Sequence, residues 1–307
     1  MMKKFTSLVS KPSYFRWGFF MMMAINVIFY FLHIGQDQFY VIYIIATIFM
    51  GIGFYNKSYL FLLIVTTLVV GSRFIQNPGT RNVSDFIILE LSYFIIMFIS
   101  VGLMKHAQKI SRDNFELISA LSKALDSRDS STYHHSHNVA KYAVEIAKKM
   151  KLPNDMIEVV YKGGLLHDIG KIGVPENILN KPCQLTSDEY SAIKEHPVMG
   201  HEMIKHVADF SHNGILDMVL YHHERYDGKG YPKGLKEQEI PLTARIMAIA
   251  DSFDAMTSKR VYRDEIGLEN ALLEIRRNKG KQFDPEITDV FLSIFDRAGE
   301  GAIGEKL

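Results

Sequence analysis

Hydrophobic and polar positions divide the chain into two unlike parts. Residues 14–104 are dominated by Phe, Ile, Leu, Met, Val and Tyr, in four apolar runs at about residues 14–34, 39–55, 59–74 and 86–104. Each approaches the roughly 20 residues a helix needs to cross the hydrocarbon core of a bilayer, the second and third being the shorter ones. None has a polar face, so core helices of a soluble domain do not account for four such runs in succession. From Lys105 onward the charge is mixed and the apolar positions are periodic. Ile110, Leu117, Leu121 and Leu125 recur at helical spacing among Lys, Asp, Glu and Ser, which predicts an amphipathic helix over residues 105–128. Its stripe suits a short two-stranded coiled coil, and so a homodimer, although Asn114 interrupts the seam. The same segment can equally be the first helix of the soluble part. Beyond it, Val139, Tyr142, Ala143, Ile146 and Met150 form one apolar stripe, and Leu152-Pro153-Asn154-Asp155 ends it and starts a helix carrying Ile157, Val160 and Tyr161. Helices are also predicted over residues 189–204, 214–223, 242–257 and 268–277, with a Gly-rich loop at 227–234 and little strand signal. The expected fold is all-α: a transmembrane region over 1–104, a linker helix over 105–128 and a helical domain over 129–307.

Charge orients the apolar part. Lys3, Lys4, Lys11 and Arg16 stand at the start of the first run, and Lys105, Lys109 and Arg112 follow the fourth. By the positive-inside tendency both ends face the cytoplasm, as an even number of spans requires. Lys57 falls in the inner loop, while Arg73 and Arg81 fall at the outer side and count against this orientation. The first run lacks a small-residue cleavage site and precedes three others, so it reads as a span and not as a signal peptide. Glu90 lies inside the fourth run, where a carboxylate is costly. The expectation is a place near the outer interface, reaching water or pairing with Arg73.

Composition narrows the chemistry of the second part. The net charge of +1 over 307 residues gives no electrostatic pointer toward polymeric nucleic acid. A single cysteine, Cys183, excludes an intramolecular disulfide framework and a cysteine-rich metal site. Ten of the 12 histidines lie between His134 and His223, a crowding that scattered surface histidines do not explain. His135 opens the Val139 helix, and His167-Asp168 closes an apolar Gly163-Gly164-Leu165-Leu166 run. His196 precedes Pro197, His222 and His223 are adjacent, and Asp251 follows an apolar run from Ile246. Buried imidazoles and carboxylates need partners or a metal to offset their desolvation. Imidazole with carboxylate suits Fe, Mn or Zn, and Asp168, beside His167, is the natural bridge between two ions. A metal pair can activate water and stabilise both oxygens of an in-line phosphoryl displacement. His134, His137, His201, His206 and His212 are expected on the surface. Gly228, Gly230 and Gly234 permit turns closed to other residues, and Pro232 stiffens the loop they shape.

These residues carry a resemblance. The matching stretches are Arg128-Asp129 through His135-Ser136, then His167-Asp168-Ile169-Gly170-Lys171-Ile172-Gly173, Pro175 to Pro182, and His196-Pro197 with Gly200. They continue with His222-His223-Glu224, Asp227-Gly228, Gly230-Tyr231-Pro232, Ala250-Asp251 with Asp254-Ala255, Arg260 with Tyr262-Arg263, and Phe283-Asp284-Pro285. Over about residues 126–295 the chain resembles the HD-GYP domain, a branch of the HD phosphohydrolase superfamily. The resemblance implies an all-helical domain at the cytoplasmic face of a bacterial inner membrane. It also implies hydrolysis of cyclic di-GMP to the linear dinucleotide or onward to GMP. It assigns His135, His167, Asp168 and Asp251 to one metal, and Asp168, His196, His222 and His223 to another. The cofactors would be two divalent transition ions, Fe or Mn in preference to Zn. Lys171, Arg260 and Arg263 would meet substrate phosphates, with Asp168 and Lys171 as the catalytic pair. The Gly230-Tyr231-Pro232 loop would bear on specificity and on a signalling partner, and the apolar runs would contact membrane lipid. Two departures stand out: Asn138 where many relatives have Arg, and Ser131 one turn before His135 where some relatives with a third metal have Glu. Ser131 is a poor transition-metal ligand, so the expectation is two metals and a reaction tending to stop at the linear dinucleotide. Competing readings are another HD phosphohydrolase substrate, cyclic or mononucleotide, and a catalytically silent receptor, against which the full set of ligand residues speaks.

Overall fold

The structure, a computed structural model, describes residues 11–32, 40–76, 82–129, 134–210, 214–258 and 267–296. These form helices throughout, with one isolated bridge between Lys279 and Phe283 and no strand among the described residues. The chain divides into two compact units, Met1–Asn114 and Phe115–Leu307.

The first unit contains α1 (Pro12–Phe31), α2 (Tyr40–Gly53), α3 (Tyr59–Gln76) and the first part of α4 (Val83–Arg128). Three of these helices, α1, α3 and α4, are long and apolar enough to cross a membrane, while the second apolar run forms a helix of only 14 residues. Met50, Leu62, Val69, Tyr93 and Met97 make the unit's core. Arg16 donates to the Gly53 carbonyl at 2.7 Å, which satisfies an orphan carbonyl at the end of α2. Glu90 does not pair with Arg73. Its carboxylate accepts from the Thr67 hydroxyl, whereas Arg73 donates to Tyr93 Oη at 2.7 Å and lies over the Tyr40 and Tyr93 rings.

The fourth apolar run and the amphipathic segment after it lie on one uninterrupted helix of 46 residues, α4. No proline falls between Val83 and Arg128, so no donor is lost along it and nothing forces a break where the composition changes. The unit boundary falls inside this helix.

The second unit holds α5 (His135–Lys149), α6 (Asn154–Leu166), a 3₁₀ turn (Ile169–Gly173), α7 (Glu176–Leu179), α8 (Ser187–Lys194), α9 (His196–Ile204), α10 (Ile215–Tyr221), a short 3₁₀ turn (Glu237–Glu239), α11 (Leu242–Thr257), α12 (Leu268–Arg277) and α13 (Pro285–Phe295). The stripe on α5 is buried as its spacing requires: Val139, Ala143 and Ile146 pack with Val160 of α6, Ile246, Ile249 and Phe253 of α11, and Phe291 of α13. Tyr142 meets Phe253 edge-on at 5.0 Å. The helix expected over 189–204 is two helices. Thr186 and Glu189 form a reciprocal capping box at the start of α8. Pro197 cannot continue a helical ladder from above, so the chain breaks at Glu195 and restarts with His196 in the first turn of α9.

Candidate metal centre

Three elements deliver Asp168 and its neighbours to one buried point. α6 ends at Leu166, and the 3₁₀ turn that follows carries the chain over the backbone of α9. A Cβ on Gly170 would stand 1.8 Å from the His196 carbonyl oxygen, so only glycine permits that approach. His167, Asp168, His196 and His222 are all buried.

The seven candidate ligands form two groups. Donor atoms of Asp168, His196, His222 and His223 lie within 4.8 Å of one another, and so do those of His135, His167 and Asp251. Asp168 faces both. Its Oδ1 is 3.2 Å from His196 Nε2 and 3.9 Å from His222 Nε2, while its Oδ2 is 3.4 Å from His167 Nε2 and 3.8 Å from His135 Nε2. One carboxylate thus presents one oxygen to each group.

The imidazoles are oriented from behind. His167 Nδ1 donates to the Gly164 carbonyl at 2.8 Å, His196 Nδ1 to Ile193 at 2.7 Å, and His222 Nδ1 to Val219 at 3.0 Å. A carbonyl accepts only, so each Nδ1 carries a proton and each ring turns its Nε2 inward. His196 Nε2 and His222 Nε2 face each other at 3.3 Å, and burial holds the His222 imidazole well below its usual range. His167 Nε2 is buried with no hydrogen-bond partner among the described residues. Such an arrangement is unfavourable for the protein alone and favourable around cations, so the donor set fits divalent transition metals.

His135 is held differently. Its Nδ1 lies 2.6 Å from Asp254 Oδ2 and its Nε2 3.2 Å from Asp251 Oδ1. Burial alone would lower this imidazole, but the two carboxylates raise it to about 9. The field that favours a proton at Nε2 equally favours a metal ion there. Burial pushes His223 down to about 4, keeping it neutral and free to ligate. Burial alone would raise the Asp168 carboxyl, yet Lys171 and His167 hold it well below the usual carboxylate range.

Lys171 Nζ lies 2.7 Å from Asp168 Oδ2 and 3.4 Å from Asp129 Oδ2, so the lysine expected to meet phosphate stands on the carboxylate shared by both groups. Arg260, Arg263, Ser131 and His212 lie outside the described residues. Tyr231 of the Gly230-Tyr231-Pro232 loop stacks on His223 with ring centres 4.8 Å apart. Gly230 serves a close approach and not a turn: a Cβ there would stand 2.3 Å from Arg225 N.

The sequence reading gave no role to three residues that build this site. Asp254 orients His135, and its place one turn after Asp251 on α11 was the available signal. Glu224, beside the paired histidines, is buried and accepts from Lys233 N at 2.7 Å, Gly234 N at 3.0 Å and Leu235 N at 3.1 Å, pinning the loop. Arg128 donates to the carbonyls of Lys171 and Ile172 at 2.8 Å and of Val174 at 2.7 Å, clamping the 3₁₀ turn to the end of α4. Arg128 and Glu224 stand in stretches that carry the family resemblance, but no periodicity along the chain marks them as buried supports.

Residues 119–287 match the family described as HD domain. The chain is 40% identical over 184 residues to a cyclic di-GMP phosphodiesterase of Thermotoga maritima, covering 59% of this chain and 49% of that one. It is 36% identical over 191 residues to the cyclic di-GMP phosphodiesterase response regulator RpfG of Xanthomonas campestris, covering 62% and 50%. It is 36% identical over 188 residues to a 3'3'-cGAMP-specific phosphodiesterase of Vibrio cholerae, covering 60% and 43%. The chain spans about half the length of the curated relatives it matches.

Proposed function

This chain belongs to the HD-domain family, and from that premise we propose that it is a membrane-anchored phosphodiesterase that hydrolyses cyclic di-GMP to the linear dinucleotide at a two-metal centre. The observation that carries the reading is Asp168, which offers one oxygen to His196 and His222 and the other to His135 and His167. His135, His167, Asp168 and Asp251 would hold one ion, and Asp168, His196, His222 and His223 the other. When bound, the ions would supply Lewis-acid polarisation of the phosphodiester and activation of a water nucleophile. The chain's own residues do the remaining work. Backbone carbonyls and Asp254 fix the histidine tautomers, so each Nε2 lone pair is aimed before substrate arrives. Lys171, held by Asp168 and Asp129, sets a cation beside the reacting phosphate to offset charge that develops there. Glu224 and Tyr231 close the His223 side and limit water access.

The apolar helices of the first unit would anchor the chain in the cytoplasmic membrane with the HD domain at the cytoplasmic face. Exposed Ile110, Leu117 and Leu121 on α4 suit self-association through a parallel coiled coil. A second reading, that 3'3'-cGAMP is the substrate, is favoured by the similar identity to a relative of that specificity. Purified full-length chain, supplied with Fe or Mn without oxygen, should turn over cyclic di-GMP faster than 3'3'-cGAMP or cyclic di-AMP and release the linear dinucleotide, with two ions per chain by elemental analysis. A preference for 3'3'-cGAMP would move the substrate to the second reading. A folded, metal-loaded chain inert toward every cyclic dinucleotide would sink both.

A further inference from the structure

One cation at the rim of the histidine cluster has no acidic partner. Lys194 is the last residue of α8, two before His196 at the start of α9. Its Nζ lies 4.8 Å from the centre of the Tyr231 ring and 5.7 Å from that of Tyr190. Tyr231 in turn stacks on His223, so one ring touches both the ammonium and a candidate metal ligand. Among the described residues no carboxylate is within ion-pair distance of Lys194, and its three N–H donors have no acceptor. The neighbouring cations are committed: Lys171 is shared between Asp168 and Asp129, and Arg128 is spent on three backbone carbonyls. Lys194 is half-buried, and its ammonium, uncommitted to any carboxylate of the described residues and next to a ring that touches a candidate metal ligand, is placed to receive an anion.

The substrate supplies that anion. A cyclic dinucleotide carries two phosphodiesters, each with one negative charge. The centre around Asp168 serves the one that is cleaved. The other must also be neutralised or left desolvated at a cost. We propose that Lys194, steadied by the Tyr190 and Tyr231 rings, binds the second, uncleaved phosphodiester and so selects cyclic dinucleotides over simple diesters. Cation–π contact fixes the ammonium through its apolar surroundings while leaving N–H donors free for phosphate oxygens. This rests on the function proposed above.

The test compares two substrates in the full-length, metal-loaded chain: cyclic di-GMP, and bis(4-nitrophenyl) phosphate, which has a single phosphodiester. Lys194→Met keeps an unbranched apolar stem and removes the charge, whereas Lys194→Arg keeps both charge and aromatic contact. For Lys194→Met the KM for cyclic di-GMP should rise about 10- to 100-fold with little change in kcat, the scale of one charge-assisted hydrogen bond. The ratio of kcat/KM between the two substrates should fall by the same factor, and Lys194→Arg should restore most of it. Equal losses on both substrates would mean that Lys194 acts only by propping Tyr231 against His223, and the proposal would fail. An unchanged KM for cyclic di-GMP would also overturn it while leaving the function intact. An unmodified chain that cleaves the simple diester but no cyclic dinucleotide would overturn the function, and this role of Lys194 with it.

Discussion

Asp168 and Asp254 are both buried carboxylates beside imidazoles, yet they do different work. Asp168 is shared, so its loss affects both groups of ligands together. In Asp168→Asn one of the two oxygens becomes an amide nitrogen that cannot ligate. Turnover of cyclic di-GMP should fall about a thousandfold or more, the scale on which a central group of a cooperative site acts. Metal content should fall at both sites; a variant retaining two ions and normal turnover would contradict the bridging role. The Asp254 carboxylate bonds His135 Nδ1, the ring nitrogen turned away from Asp251. Asp254→Asn leaves the first-group ligands in place but weakens the acceptor behind the ring. Affinity for one ion should drop about 10- to 100-fold, the usual effect of removing a carboxylate behind a metal-ligating histidine. Titration with Mn should then resolve one weakened and one unchanged site. Equal weakening of both would mean that Asp254 supports the whole domain and not His135.

Between elements, the site is held largely by contacts made to backbone groups. The 3₁₀ turn lies on α9 through Gly170, and Arg128 at the end of α4 clamps the same turn from its other side. The loop bearing Tyr231 hangs from one carboxylate, that of Glu224, which satisfies three consecutive backbone N–H groups. Glu224→Gln keeps the shape but turns an amide NH₂ toward those donors. The change should cost about 3 kcal/mol, the scale of a buried charged acceptor lost. Thermal unfolding should come earlier, and limited proteolysis within residues 227–234 should speed up. An unchanged cleavage rate in that loop would show that Tyr231 and Gly230 hold it without Glu224.

For the whole molecule, the even number of apolar runs predicts that the start of α1 and the middle of α4 lie on one side of the membrane. Reporter fusions after residues 12 and 112 should both report the cytoplasm; a periplasmic signal from either would separate the metal centre from an intracellular messenger. Helical content and the apolar runs were legible in the sequence because burial and helix formation leave periodic traces along a chain. The helices over 242–257 and 268–277 were read at their observed bounds for that reason. The break at Glu195 was missed because one proline competes with a strong local helical pattern. Residue chemistry alone also pointed to Asp168, whose two oxygens face the two histidine groups. Which oxygen faces which histidine, that Asp254 and Glu224 are buried supports and not surface charges, and that Lys194 stands unpaired beside Tyr231 were decided only by tertiary structure. These are relations between atoms far apart in sequence, fixed when packing brings elements together, and no periodicity along the chain encodes them.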